Sequence, residues 1–183
     1  NGGGSPLVLN VKGKPIRLTA PEVHFDLLNT GSSQLTGWTQ PASDTAFLVL
    51  DRNGNGSIDN GNELFGDHTI LPDGTSAPNG YLALSWFDRL ENGGNGDGRI
   101  DALDVVCSSL RLWFDDNHDG FSQTAEVKTL AEVDVQSISL IYADDRRVDS
   151  FGNMFRYRGS AVVLKANGRP KDVRTYDVFF KLE

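Results

Sequence analysis

A chain of 183 residues is long enough to bury roughly 70% of its unfolded surface in one domain, and its one cysteine, Cys107, excludes an internal disulfide and reads as a small buried apolar residue. Seventeen Lys and Arg against 25 Asp and Glu give a net charge of −8, which argues against nucleic acid as a partner. No apolar run approaches the ~18 residues of a membrane span, so no membrane insertion is expected, and a chain that starts at Asn1 reads as a piece of a longer protein.

From the amino end, residues 1–5, Asn1-Gly2-Gly3-Gly4-Ser5, read as a linker, and one domain is expected over 6–183. Residues 6–50 are β-rich, with runs at Pro6–Val11, Pro15–Thr19, Val23–Phe25, Gln34–Trp38 and Thr45–Leu50. Residues 51–133 alternate polar loops with short helices. One helical turn is expected at Asn62–Phe65, stopped by Gly66. Further helices are expected over Tyr81–Leu90, Ala102–Leu110 and Thr124–Val133, with a strand at Leu110–Trp113. Residues 134–183 return to β, with strands at Val135–Tyr142, Asn153–Lys165 and Val173–Leu182 and turns at Asp149–Asn153 and Ala166–Gly168. The predicted class is α+β: short β-strands at both ends of the chain flanking a central segment of EF-hand-like calcium loops and short helices.

Three stretches, 51–63, 91–104 and 115–126, hold 11 of the 25 acids and 8 of the 20 glycines. Carboxylates so concentrated repel one another unless a cation lies between them. The third stretch fits the twelve-residue EF-hand spacing. Asp115, Asn117 and Asp119 alternate so that their oxygens converge, and Gly120 makes the turn that needs positive φ. Phe121 gives its backbone carbonyl, Gln123 binds directly or through water, and Glu126 closes with both oxygens. In the first stretch Asp51, Asn53, Asn55, Ser57 and Asp59 keep the spacing, Ile58 sits where an apolar side chain packs inward, and the closing acid, Glu63, comes one residue late. In the second, Asn95, Asp97, Arg99, Asp101 and Asp104 fit positions three to twelve. Position one falls on Gly93, and Glu91 or Asn92 would replace it if Gly93-Gly94 bulges. All-oxygen, multiply charged donor sets select Ca²⁺, two or three ions, over zinc or copper.

The runs Ser5-Pro6-Leu7-Val8-Leu9, Gly37-Trp38, Phe47 to Gly56, Ile58 to Asp67, Leu110 to Trp113 and Thr129 to Glu132 occur in the same order in a bacterial family. On them the chain resembles the calcium-dependent self-processing module of Frp-type RTX proteins and related EF-hand domains of large secreted bacterial proteins, over roughly residues 5–142. The tail, with Arg146-Arg147 and Gly152-Asn153-x-Phe155-Arg156-Tyr157-Arg158, resembles a non-RTX branch of the same proteins. The resemblance implies the scaffold, the Ca²⁺ loops and, in self-processing members, a Ca²⁺-driven break of an Asp–Pro bond before the first strand. Here Ser5 stands before Pro6, and Lys12 and Lys14 stand where those members carry acids. Asp26-x-x-Asn29-Thr30-Gly31 is a second, eroded candidate for that acidic loop. No base is placed by sequence to assist an acyl shift through the Ser5 hydroxyl, so no enzyme activity is expected.

His24, His68 and His118 share no metal-ligand spacing, and His118 is expected to face solvent. No Gly-x-Ser-x-Gly motif surrounds a serine. Trp38, Trp86 and Trp113 are expected in the core. Arg146, Arg147, Arg156 and Arg158 with Phe155 and Tyr157 read as a hairpin with alternating faces, or as a binding strip for an acidic glycan or partner domain. The function expected is Ca²⁺-dependent folding and stabilisation of a structural or adhesive module of an exported bacterial protein, secreted or at the cell surface, next to neighbouring domains. One rival is a Ca²⁺-dependent glycan-binding domain that uses an open coordination position in the second loop. The other is self-processing.

Overall fold

The apolar runs at 7–9 and 46–49 have no polar face, and each becomes part of a central strand buried on both sides. The computed structural model describes residues 4–183. Asn1 to Gly3 of the expected linker lie outside the described residues, and Gly4 and Ser5 are buried. In chain order the elements are β1 (Leu7–Asn10), β2 (Val23–Phe25), β3 (Gln34–Thr36), β4 (Thr45–Val49), α1 (Gly80–Ser85), β5 (Arg99–Asp101), β6 (Arg111–Trp113), β7 (Val127–Thr129), β8 (Val135–Ser139), β9 (Ala143–Val148), β10 (Met154–Leu164) and β11 (Pro170–Phe179). Nine strands form one sheet in the order β5-β8-β10-β11-β1-β4-β6-β7, with β9 also on β10; β2 and β3 pair separately. Every strand pairing is antiparallel.

The sheet curls like half a barrel, and strand alternation divides the core between its two faces. Leu7, Leu9, Leu48 and Leu112 pack with Phe65, Tyr81 and Leu84 on one face. Val8, Phe47, Val49 and Trp113 pack with Trp38, Phe25 and Phe180 on the other. Trp38 and Trp113 are core residues as expected, whereas Trp86 is half-buried beneath the Arg89 guanidinium, 4.4 Å from its ring centroid. Cys107 is only half-buried.

The α+β expectation is overturned. The protein is 36% strand and 11% helix, with one α-helix among the described residues. Each expected helix is displaced by a local cause. Helix α1 stops at Ser85 and gives way to 3₁₀ turns at Trp86–Asp88 and Leu90–Asn92, because Asp88 turns to take backbone N–H groups of the loop that follows. Over 102–110, Asp104 turns inward onto two backbone N–H groups, leaving a 3₁₀ turn at Val105–Ser108. Val127–Thr129 pairs with β6, and only Ala131–Val133 makes a 3₁₀ turn. Leu64 bridges Val49, so 62–65 is a turn running into extended chain. Of Pro15–Thr19 only a bridge between Leu18 and Thr39 forms.

Candidate metal centre

A loop that wraps a cation must first hold its own backbone N–H groups away from the centre. The first acid of the loop does this by accepting from residues four to six. In the first loop Asp51 Oδ1 accepts from Gly54 N (2.7 Å) and Asn55 N (3.2 Å), and Oδ2 from Gly56 N (2.8 Å). In the third loop Asp115 Oδ1 accepts from Asp119 N (3.1 Å) and Oδ2 from Gly120 N (2.9 Å). The same Oδ2 takes the buried Trp38 indole N–H at 2.7 Å, which ties this loop to the aromatic core. Positions four and six are left-handed in both loops: Gly54 and Gly56 at φ 73 and 84, His118 and Gly120 at φ 63 and 76. The two loops touch, Ile58 N–H donating to Ser122 Oγ at 2.7 Å, and the Ile58 side chain is buried as expected.

The second loop completes itself with a residue that the sequence did not single out. Asp88 Oδ1 accepts from Gly96 N (3.0 Å) and Asp97 N (3.2 Å), and Oδ2 from Gly98 N (3.0 Å). These are the bonds that Asp51 makes, so Asp88 holds position one. Residues 89–94 form an insertion between positions one and three. Gly93, at φ 85, turns the insertion back. Gly94 then crosses the Asp88 backbone so closely that a Cβ on it would lie 2.1 Å from Asp88 C. Glu91 is exposed and Asn92 donates its amide to Trp86 O (2.8 Å), so neither replaces Asp88. The Gly93-Gly94 pair was the visible sign that the loop leaves its usual path here.

The closing acids occupy matching places. Glu63 is buried and accepts from Arg52 N (3.1 Å) and Asp59 N (2.7 Å), so its late position still reaches the loop. Asp104 accepts from Asn95 N (3.2 Å) and Asp101 N (2.8 Å). Glu126 Oε1 accepts from Asp116 N (3.0 Å) and Asn117 N (3.3 Å), while its Oε2 is shut off from solvent with no partner. An orphaned carboxylate oxygen beside a ring of oxygens is what a hard divalent cation satisfies.

Among the described residues no three His, Cys, Asp or Glu side chains crowd one point. The inner acids instead meet amides. Asp59 Oδ2 takes Asn53 Nδ2 (3.3 Å) and Asn55 Nδ2 (2.7 Å). Asp119 Oδ2 takes Asn117 Nδ2 (2.9 Å) and Gln123 Nε2 (2.7 Å). Asp97 Oδ2 takes Asn95 Nδ2 (3.2 Å) and the Arg99 guanidinium (3.3 Å). Turning each amide by half a turn presents its oxygen instead. The residues therefore fit Ca²⁺: Asp51, Asn53, Asn55, Asp59 and Glu63; Asp88, Asn95, Asp97, Asp101 and Asp104; Asp115, Asn117, Asp119, Gln123 and Glu126. The backbone carbonyls of Ser57, Arg99 and Phe121 complete the three sets.

Asp26 makes the same turn without the other acids, accepting from Thr30 N (2.8 Å) and Gly31 N (2.7 Å) with Asn29 and Gly31 left-handed. The loop after β1 is held by Asn10, whose Oδ1 accepts from Lys12 N and Lys14 N, and by a Lys14–Asp44 ion pair at 3.1 Å. His118 does not face solvent freely as expected: it is half-buried, with Nε2 3.2 Å from Glu22. In the basic tail, Arg147 lies 3.9 Å over the Phe155 ring, and Arg156 lies near the rings of Tyr157 (4.9 Å) and Phe179 (5.0 Å).

A curled antiparallel sheet carrying three oxygen-lined loops defines a β-rich module, and the chain belongs to the SPM domain family, whose model matches residues 7–181. It is similar to the Iron-regulated protein FrpA of Neisseria meningitidis serogroup C, with 43% identity over 159 residues. That match covers 85% of this chain and 14% of the relative, so the chain spans about a seventh of that protein's length. The Frp-type resemblance read from the sequence holds at this level. Among the described residues no helix is long and apolar enough to cross a membrane.

Proposed function

We propose that this chain is a Ca²⁺-binding module, folded and stabilised by up to three ions, within an exported bacterial protein. The observation that carries the reading is the second loop. Its first acid has been displaced by an insertion, yet Asp88 makes the same three backbone bonds as Asp51. A solvated acidic turn has no reason to rebuild that pattern from a distant residue. At a dissociation constant of about 10 µM and ~1 mM Ca²⁺, each ion stabilises the fold by roughly 2.7 kcal/mol, and three by roughly 8. That equals a large part of a typical domain's 5–15 kcal/mol, so a calcium-poor cytoplasm would leave the module loose and an external medium would set it. Asp88 also fills the position that the glycan reading needed open, and no other observation favours that reading. The test is thermal unfolding in millimolar Ca²⁺ and in excess chelator. A stabilisation of roughly 16–32 °C is expected at ~2–4 °C per kcal/mol; superimposable curves would refute the proposal.

A further inference from the structure

The chain enters β1 through a closed chamber. Leu7 N–H donates to Phe65 O (2.8 Å) and Val178 N–H to Pro6 O (3.2 Å), fixing the segment on both sides. Ser5 is 1% exposed and Asp177 0%. Ser5 Oγ and Asp177 Oδ1 are cut off from solvent, and neither has a formed hydrogen bond. Burial pushes the Asp177 carboxyl up to about 7. The Gly80 N–H and the neighbouring Ser5 hydroxyl pull it down, Asp67 raises it and Arg156 lowers it. On the other side of the bond Ser5 N–H donates to Asp67 Oδ1 (2.9 Å), which also meets His68 Nδ1 (2.9 Å). Gly4 O accepts from Phe180 N–H at 3.4 Å.

We propose that this chamber promotes an N→O acyl shift at the Gly4–Ser5 bond, with Ser5 Oγ as nucleophile and Asp177 as its base. Ring size selects the bond. Attack on the Gly4 carbonyl closes a five-membered ring of Oγ, Cβ, Cα, N and the Gly4 carbon. Attack on the carbonyl of Ser5 itself, ahead of Pro6, would close a strained four-membered ring. Asp177 takes the hydroxyl proton as Oγ bonds to the Gly4 carbon. The carbonyl oxygen becomes an oxyanion facing the Phe180 N–H, a contact that shortens as charge develops. The C–N bond then breaks and the proton held by Asp177 passes to the nitrogen. The product is an ester between Gly4 and the Ser5 side chain, an isomer of the starting chain. A solvent proton converts the freed amine to an ammonium, which Asp67 holds as an ion pair. Water adds to the ester carbon and releases a Gly4 carboxylate, a proton that passes to solvent, and a chain that begins at Ser5, its hydroxyl restored. Gly4 is suited to the place because a Cβ there would meet Leu27 Cγ at 2.8 Å.

The proposal uses none of the metal loops and is tested on the folded full chain. The chain is held at neutral pH in millimolar Ca²⁺ with hydroxylamine, which captures esters, and followed by intact mass and amino-terminal sequencing. A hydroxylamine-accelerated product beginning at Ser5 is expected. Ser5→Ala should give none, and Ser5→Cys should give the same product through a thioester. Asp177→Asn keeps an oxygen for the Gly80 N–H and should slow the reaction by about 100-fold, the lower end for a lost general base. No product from either the unmodified chain or Ser5→Cys would overturn the proposal. So would equal product from Ser5→Ala, or a product beginning at Pro6.

Discussion

Asp88→Asn separates the three-dimensional reading of the second loop from the linear one. The substitution keeps the size of the side chain but removes its charge and one of the two oxygens that accept from Gly96, Asp97 and Gly98. Without calcium the cost is that of weakening charge-assisted bonds, about 1.5–3 kcal/mol. With calcium the variant also loses one ion's contribution, roughly 2.7 kcal/mol, or ~5–11 °C of the calcium-dependent gain in melting temperature. Paired melts in Ca²⁺ and in chelator isolate this second quantity, and titration calorimetry should count one ion fewer. Glu91→Gln is the control, because Glu91 is exposed and makes no contact with the loop centre. An unchanged ion count and calcium increment in Asp88→Asn, or a lost ion in Glu91→Gln, would refute the assignment.

Gly94→Ala should disable the same loop without substituting a ligand, since its Cβ would collide with the Asp88 backbone and displace it; equal calcium counts in variant and parent would contradict this. Glu126→Gln should weaken tryptophan-sensitised Tb³⁺ emission more than Asp104→Asn, because Trp38 and Trp113 both lie beside the third loop; equal losses would invert the ranking of the sites. Asp177 gives a pH dependence of stability. Its folded pKa of about 7 lies above the ordinary carboxylate range, so its contribution is fully present below about pH 4 and is lost as pH rises through 7. Urea unfolding in chelator should therefore show the parent losing stability over that window relative to Asp177→Asn, and parallel curves would show that the carboxyl is not shielded. The Ser5–Pro6 bond should stay intact for days in millimolar Ca²⁺, because Ser5 has no carboxyl to form the anhydride that the family resemblance implies; a fragment starting at Pro6 on mass spectrometry would contradict this.

The strands that sequence located are those whose neighbours demand little else. Leu7–Leu9 and Ala46–Val49 are apolar without a break because both faces of the sheet are covered, and the hairpin of β10 and β11 alternates. The loops at 51–63 and 115–126 were legible because their ligands are consecutive in spacing. Asp88 was not, since it lies in a segment whose apolar residues recur like a helix and its role depends on a fold-back of the chain. The helices expected over 102–110, with an acid near its start, and 124–133 do not form, because the side-chain carboxylate of Asp104 and pairing with β6 outweigh weak helical propensity. Strand β9 consists mostly of charged residues on an exposed edge, so no periodicity marks it. Asp177 could not be linked to Ser5 from sequence, because β11 places it there from the far end of the chain.

Strand β1 lies between β11 and β4, with Leu7 opposite Asp177 and Val8 opposite both Tyr176 and Phe47. The first strand of this module thus has one of its two partners in the module's last strand. Until β11 arrives, half of its backbone groups have no ladder and the chamber around Ser5 has no third wall. Contacts of such long sequence separation close slowly, so the sheet sets late and as a unit. The segment ahead of β1 reports on completion of this module: loss of β11 releases it, however well the loops in the middle have formed.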